Sequence, residues 1–475
     1  MNQSPWLHQL DRRRPLYTLD QHRREDVVII GGGIAGMMTA AFTLLRTQRS
    51  VLLLEATRIA HGATGHNAGQ ITSYFERSFP DMVREYGLDR AAEAVRAVES
   101  AWDLLDELKR TFRLATPLHR FMGYVGFSTI DTVRAFFETN RLRAKAGLRM
   151  HPIYLAEERT ASLRLSAAER EQVTFLPHTA LLALLETPNR DFIGAQAEQK
   201  GVTNSAALCE ELAELLLTQF PDRFTILEET PVKELRLGRD TRVIVGKTHA
   251  IHAASVVLCT NGFESFDLRS EEGVDINYRF HASIDPTIAY MIGYVRPEAP
   301  PTAMSYIEGE YGGNTPYAYM TRRPHGPSTS LLCWGEPEAE LPTLSDYNRT
   351  EAMPDGMRAR LQACVKRLRP EDARQPLLYR WHGLMGYTPN RIRLIGQDPC
   401  HAELYYNLGC NGIGILPSIY GGSRIAQLLN GETLPITIFD PSDTRCPLPS
   451  GGGSTRRAPR RSAARTRTPR TNVGG

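Results

Sequence analysis

Apolar residues along this chain gather into short runs separated by polar, glycine-rich breaks. The clearest stretch is VVIIGGGIAGMMTAAFTLLRTQRSVLLLE, residues 27–55. Two runs of four or more apolar residues, Val27–Ile30 and Val51–Leu54, are bounded by turn signals and read as buried strands, with a helix between them. Further on, Val95, Val98, Trp102 and Leu105 lie at helical spacing within 80–112. Residues 117–130 read as a strand and 131–147 as a basic surface helix. Asn204 is placed to cap a helix whose Leu208, Leu212 and Leu215 share one face. Residues 225–235 read as one strand. Residues 241–262 read as a hairpin turning at Gly246-Lys247, followed by a buried strand Val256–Cys259. Strands are expected at 287–295, 316–322 and 329–335, and a helix at about 351–369. Residues 377–396 lead into 403–432, which reads as a strand, a glycine turn and a closing helix.

The first stretch also carries chemistry. Gly31, Gly33 and Gly36 form G-x-G-x-x-G directly after a strand and at the start of a helix. That order permits a tight turn, close approach of a pyrophosphate to the backbone, and close packing of helix on strand. Free N–H groups at the helix start would face the phosphates. Glu55 follows Gly36 by 19 residues, at the end of the second strand, where a carboxylate can accept from ribose hydroxyls. These features predict a dinucleotide site and leave FAD and NAD both open. The polar loop 56–76 is well placed to continue along the same cofactor.

Length and charge narrow the class. At 475 residues the chain suits two or three domains, or one large two-part α/β enzyme. The start is polar and basic without an apolar segment, so no signal peptide is visible, and the glycine-broken run 27–42 is too short to span a membrane. The seven cysteines lack metal-type spacing and read as reduced thiols of a cytoplasmic protein. His249 and His252 suggest a metal pair, but residues three apart on a strand point to opposite faces. Residues 456–470 hold seven arginines, so without them the net charge of +3 becomes about −4. This Gly-, Ser- and Pro-rich tail reads as disordered, and nucleic acid as an unlikely partner.

Four stretches in order, GGGIAG…VLLLE, GATGHNAGQ, SVVLCTNG and WHGLMGYTPNRIRLIG…NLGCNGIGI, make the chain resemble the D-amino-acid-oxidase-like FAD-dependent oxidoreductases. That family includes glycine and sarcosine oxidases and γ-glutamylputrescine oxidoreductase. The resemblance covers roughly residues 26–435. It implies an α/β fold, a Rossmann-like FAD-binding domain with an inserted, mainly antiparallel α+β substrate domain. It divides the chain into an N-terminal extension (1–25), FAD-binding segments (26–80, 190–265 and 378–435), a cap (81–189 and 266–377) and the tail (441–475). FAD would contact Gly31, Gly33, Ile34, Ala35, Gly36 and Glu55, then Ala63, Thr64, Gly65, His66, Asn67, Ala68 and Gln70. Val232 and Gly262 would add to this set, and Asn411, Gly412, Ile413, Gly414 and Ile415 would close over the flavin pyrimidine. Tyr317, Tyr319, Arg322 and His382 are the candidates for substrate contact and catalysis. The implied reaction is oxidation of a C–N bond in a small amine or amino acid by hydride transfer to the flavin, with O2 or another acceptor taking the electrons.

The chain also departs from the family pattern. Gly69 and Thr72 fall where sarcosine oxidase has carboxylate-gripping arginines, Leu416 where it has a lysine, and Cys333 where its oxygen-activating lysine sits. Asn390 replaces the commoner aspartate of the turn. His66 aligns with the histidine that links covalently to the flavin in dimethylglycine dehydrogenase, and Gln70 fits the γ-glutamylputrescine branch. Cys410 reads as a small packed residue and Trp381 as a structural one. Two alternatives remain: a flavoprotein dehydrogenase subunit, and a tRNA-modifying flavoprotein whose basic tail holds a partner.

Overall fold

A computed structural model gives the fold and describes residues 2–19, 22–160, 163–246, 249–271, 273, 276, 284–309, 317–336 and 338–441. Tyr311, the second residue of the expected turn (Lys247) and the tail from 442 lie outside the described residues.

The chain starts with a one-turn helix, α1 (Pro5–His8), and enters strand β1 (Arg23–Ile30). A glycine turn leads into α2 (Ile34–Arg46) and then β2 (Val51–Leu54). β1 and β2 run parallel in the register Val27↔Val51 to Ile30↔Leu54. Both strands are covered on two faces, which explains continuous rather than alternating apolar runs. His249–Leu258 lies on the other side of β1, also parallel, with Leu404–Leu408 beside it, and Phe224–Leu227 extends the sheet beyond β2. The hairpin of Val232–Leu237 and Arg242–Val245, together with Asp267–Ser270 and Leu394–Gln397, completes a nine-stranded sheet. The single strand expected at 225–235 is therefore two. Glu229 takes a left-handed conformation (φ 51°) and Pro231 follows it, so the chain turns between them.

α2 and the closing helix Ile415–Leu429 cover one face of this sheet. Strand β3 (Gln70–Ile71) leaves it and pairs with Gly194–Thr203 in a second sheet of eleven strands. The expected helix 80–112 is broken at Gly87 (φ 84°) into α3 (Phe79–Tyr86) and α4 (Leu88–Phe112), and α4 packs on the closing helix. In the second sheet, Gly194–Thr203 pairs with Leu118–Phe127 along its whole length. Thr302–Ile307, Ala318–Gly326, Thr329–Gly335, Asp285–Pro297 and Leu377–Tyr387 follow in spatial order. Most of these pairings are antiparallel; Leu118–Phe127 with Thr302–Ile307 is a parallel exception. Strands 194–203 and 377–387, grouped with the FAD-binding segments from sequence, thus belong to the second sheet, while α4 lies with the first. Strand partners are chosen by residues far away in sequence, which local pattern does not record.

The N-terminal extension is built into the body of the fold. Trp6 is only 1% exposed and meets Trp381 edge-on, their centroids 6.5 Å apart. Arg14 is held between Glu210 (2.6 Å) and Glu228 (2.6 Å). Asn204 caps Ser205–Gln219 as expected, accepting from the N–H groups of Ala206 and Ala207. His252 binds Asp240 (2.7 Å), and among the described residues no group of side chains could hold a metal ion. Cys209, Cys259, Cys333, Cys364 and Cys410 are free thiols, but Cys400 is disulfide-bonded, which corrects the expectation of seven reduced cysteines. Among the described residues no helix is long and apolar enough to cross a membrane.

Candidate active site

The carboxyl ends of β1 and β2 open into a cavity of about 490 Å³. In parallel sheets this end is where ligands bind. Gly31, Gly33, Ile34, Ala35 and Glu55 line it. Glu55 is fixed from two sides: Oε2 accepts from the Gly32 N–H (2.8 Å) and Oε1 from the Thr57 N–H and hydroxyl (2.9 Å each). The Ile34 N–H at the start of α2 donates to Thr64 Oγ1 (2.9 Å), which ties the glycine turn to the next loop. Gly36 does not face the cavity. A Cβ there would run into the Gly31 carbonyl, so its role is close packing of helix on turn.

Ala63, Thr64, His66, Asn67, Ala68 and Gln70 form the next part of the wall. The His66 Nδ1–H donates to the Gly62 carbonyl (3.0 Å), and burial lowers the imidazole pKa to about 4, so the ring is neutral. Asn67 organises the loop, donating to Thr64 O (2.9 Å) and Ser205 Oγ (2.8 Å) and accepting from the Gly69 N–H (2.7 Å). The N-terminal segment binds this loop from behind: the Ser4 hydroxyl donates to Gly65 O, and Trp6 Nε1 to Asn67 O (2.6 Å). Gly65 therefore faces Leu7 and the Ala60 carbonyl, away from the cavity.

Val232, Gly412, Ile413, Gly414 and Ile415 also line the cavity, whereas Gly262 and Asn411 do not. Gly262 packs against Ile284. Asn411 shapes the turn from within, its Oδ1 accepting from the Thr388 N–H (2.7 Å) at φ 47°. Leu416 and Cys333 are fully buried in the core and off this surface.

The second sheet supplies the remaining wall. Tyr317 and Tyr319 face the cavity together with Ala289 and Met291. Arg322 and His382 do not. Alternation along the strand turns Arg322 to the opposite face from Tyr319, where it is 4% exposed and grips Glu186 (2.8 and 2.9 Å) and Pro300 O (2.6 Å). His382 alternates with Gly383, which faces His66, and its Nε2 donates to Glu351 O (3.0 Å).

Several residues that sequence reading passed over complete the site. Thr72, Tyr74 and Glu76 continue Gln70 at every second position and all face the cavity; that alternation was the available signal. Glu338 joins them. The Tyr317 hydroxyl donates to Glu76 Oε1 (2.6 Å), and the Tyr387 hydroxyl to Glu338 Oε2 (2.6 Å). By surface area Glu76 is half-buried and Glu338 open to the cavity. Protein surrounds that space, however, and burial raises both carboxyls, Glu76 to about 7 with Glu338 as its next largest cause.

The donor set fits FAD. A glycine turn and helix start serve a pyrophosphate, and Glu55 a ribose. Gln70 Nε2 and Asn261 Nδ2 are buried in this wall without a hydrogen-bond partner among the described residues. The sequence profile of the DAO family, FAD dependent oxidoreductase, matches residues 26–428. This chain belongs to that family. Like the rest of the family, the oxidoreductase depends on FAD. Its fold matches glycine oxidase from Geobacillus kaustophilus at a TM-score of 0.64 and 16% identity, covering 88% of this chain and 98% of the other. L-proline dehydrogenase from P. horikoshii matches at 0.64 and 18%, covering 88% and 97%. In sequence, the oxidoreductase is 24% identical over 297 residues to the Bacillus subtilis (strain 168) protein YhfW, named for a Rieske 2Fe-2S centre, covering 60% of this chain and 50% of that one. It is 36% identical over 77 residues to γ-glutamylputrescine oxidoreductase of Escherichia coli (strain K12), covering 16% and 18%. The chain thus spans about half the length of the first relative and less than a fifth of the second.

Proposed function

We propose that this flavoenzyme oxidises a C–N bond of a small amine or amino acid, the resulting imine being hydrolysed by water. The observation that carries this reading is the continuity of one cavity. It runs from the glycine turn and Glu55 to a wall of Tyr317, Tyr319, Glu76 and Met291 contributed by the second sheet. FAD, when bound, supplies the acceptor for two electrons and a proton as hydride. The chain's own task is to hold both reactants. Gly31–Ile34 would take the pyrophosphate, Glu55 the ribose, and Gln70 and the turn 412–414 the flavin end, where backbone N–H groups favour developing negative charge. His66, neutral with Nδ1 committed to Gly62, offers only Nε2 to a covalent flavin link. The names of the neighbours support the class: glycine oxidase, L-proline dehydrogenase and γ-glutamylputrescine oxidoreductase all concern amines or amino acids.

The test is anaerobic mixing of the yellow protein with a panel of amines and amino acids, followed by admission of air. Bleaching by a member of the panel is expected, and its reversal by air identifies oxygen as an acceptor. A protein that holds FAD and is bleached by no amine or amino acid would sink the proposal. Acid precipitation settles the linkage, since flavin left in the supernatant rules out a bond to His66.

A further inference from the structure

We propose that Glu76 and Glu338 select the substrate through an ammonium group, so that the amine oxidised is a cation with no carboxylate at its reacting end. The inference deepens the reading of this cavity as the site of C–N oxidation and rests on it. Four features of the wall point the same way.

First, Tyr317 and Tyr387 each donate to one oxygen of a carboxylate. Glu76 Oε2 and Glu338 Oε1 have no hydrogen bond or ion pair among the described residues, which leaves two acceptors for N–H donors.

Second, Glu76 and the Tyr387 hydroxyl that binds Glu338 converge on the turn expected beside the flavin. A Cβ placed on Gly412 would lie 2.6 Å from the Tyr387 hydroxyl and 3.0 Å from Glu76 Cγ.

Third, aromatic rings surround the pair. Tyr317 and Tyr319 lie 5.9 Å apart, and the Tyr74 hydroxyl is 3.5 Å from that of Tyr317. Faces of this kind attract cations.

Fourth, neither nearby cation forms an ion pair with Glu76 or Glu338 among the described residues. Lys200 reaches Ser305 Oγ (3.3 Å), lies 5.9 Å from the Tyr74 ring and also faces Glu198. Arg391 lies 5.5 Å from the Tyr387 ring, which also faces Cys410. Lys200 and Arg391 draw the Glu76 carboxyl downward, yet burial and Glu338 outweigh them and the net displacement is upward. The cations that do line the cavity are engaged elsewhere. Arg349 approaches the Thr57 hydroxyl, itself bonded to Glu55, at the ribose end, and Arg393 is held by Asn407. With one of the two carboxyls protonated the pair still carries a negative charge, which attracts an ammonium and repels a carboxylate.

Two probes that share a tert-butyl group test this on the holoenzyme. tert-Butylamine is a cation at neutral pH and has no C–H beside nitrogen to be oxidised; pivalate is its carboxylate counterpart. Each is titrated against the visible spectrum of the bound flavin from pH 6 to 8. The ammonium should bind, tighten as pH rises and the pair sheds its proton, and weaken about tenfold or more in Glu76→Gln and Glu338→Gln. Pivalate should perturb the flavin little. Pivalate binding that tightens as pH falls, or ammonium binding indifferent to both substitutions, overturns the inference. The wild-type probes answer without any variant, and Tyr387→Phe, which removes only the hydroxyl bonded to Glu338, serves if a glutamine variant loses its flavin. Bleaching by amino acids with pivalate as competitor would overturn this inference and keep the reading of C–N oxidation. No bleaching by any amine or amino acid would remove that reading itself.

Discussion

Glu76 holds a proton in the folded protein that the unfolded chain gives up. Its carboxyl is raised from 4.5 to about 7 by burial and by Glu338. Between those values the native state binds more protons than the unfolded one. The stability this group contributes is therefore fully present below about 4.5 and is lost as pH rises through about 7. In saturating FAD, the melting temperature of Glu76→Gln relative to wild type should accordingly rise from pH 5 to pH 8; a constant difference would contradict the raised carboxyl. Arg322 makes the opposite kind of prediction. It binds Glu186 on the far face of its strand and touches no cavity atom, while Arg369 also faces Glu186, whose carboxyl is depressed to about 2. Arg322→Met should cost about 2 kcal/mol in urea unfolding, on the low side for a broken buried pair because Arg369 remains. It should leave flavin-site ligand affinity unchanged. Residue by residue, the glycine fingerprint and Glu55 were legible because their chemistry is local. Alternation along the strand, the argument that set His249 and His252 on opposite faces, was not applied to Arg322, which lies off the cavity. Glu338 was not legible at all, since only tertiary folding brings it beside Glu76.

α1 is a single turn and would not persist alone in water. It is held because Trp6 is buried and because Ser4 and Trp6 bind the carbonyls of Gly65 and Asn67. Further along the same segment, Arg12 reaches Ile59 O (2.6 Å), and Arg14 binds Glu228, whose Oε1 also accepts from the Ile59 N–H (2.6 Å). The segment thus acts as a strap across loop 56–70. Removing residues 1–14 should speed loss of FAD on dialysis, read as free flavin in the filtrate, while Leu16→Ala, at an exposed position (43%), should not. Elements with a strong local period (α2, 118–127, the helix capped by Asn204) were legible in sequence. The strap was hidden because its polar, basic composition resembles a solvated tail and its partners lie far along the chain. The breaks at Gly87 and Glu229 depend on a left-handed residue inside an otherwise regular pattern.

The two sheets meet around the candidate cavity, with residues 31, 33–35 and 412–415 on one side and 289, 291, 317 and 319 on the other. A ligand filling that space binds the folded state alone. FAD at a hundredfold excess over its Kd should therefore stabilise the protein by about 2.7 kcal/mol. The check is a thermal melt at rising FAD, expected to move upward without saturating abruptly; an unchanged melting temperature would mean that the cavity does not hold the cofactor. At this scale the α/β class was legible from one strand–helix–strand unit. The order of the eleven-stranded sheet was not, because its neighbours come from residues as distant as 124 and 304.

The position of the closing turn has a consequence for how the protein is made. β1 and the glycine turn leave the ribosome well before their partners: one neighbour of β1 is the strand at 249–258, and the cavity is not walled until 410–415 has emerged. Gly31 and Gly412, which line the same pocket, lie 381 residues apart in the chain. Flavin capture waits for that turn, and until the strand at 249–258 emerges the nascent chain carries an apolar first sheet with its central strand unpaired on one edge, a state that chaperones would be expected to hold.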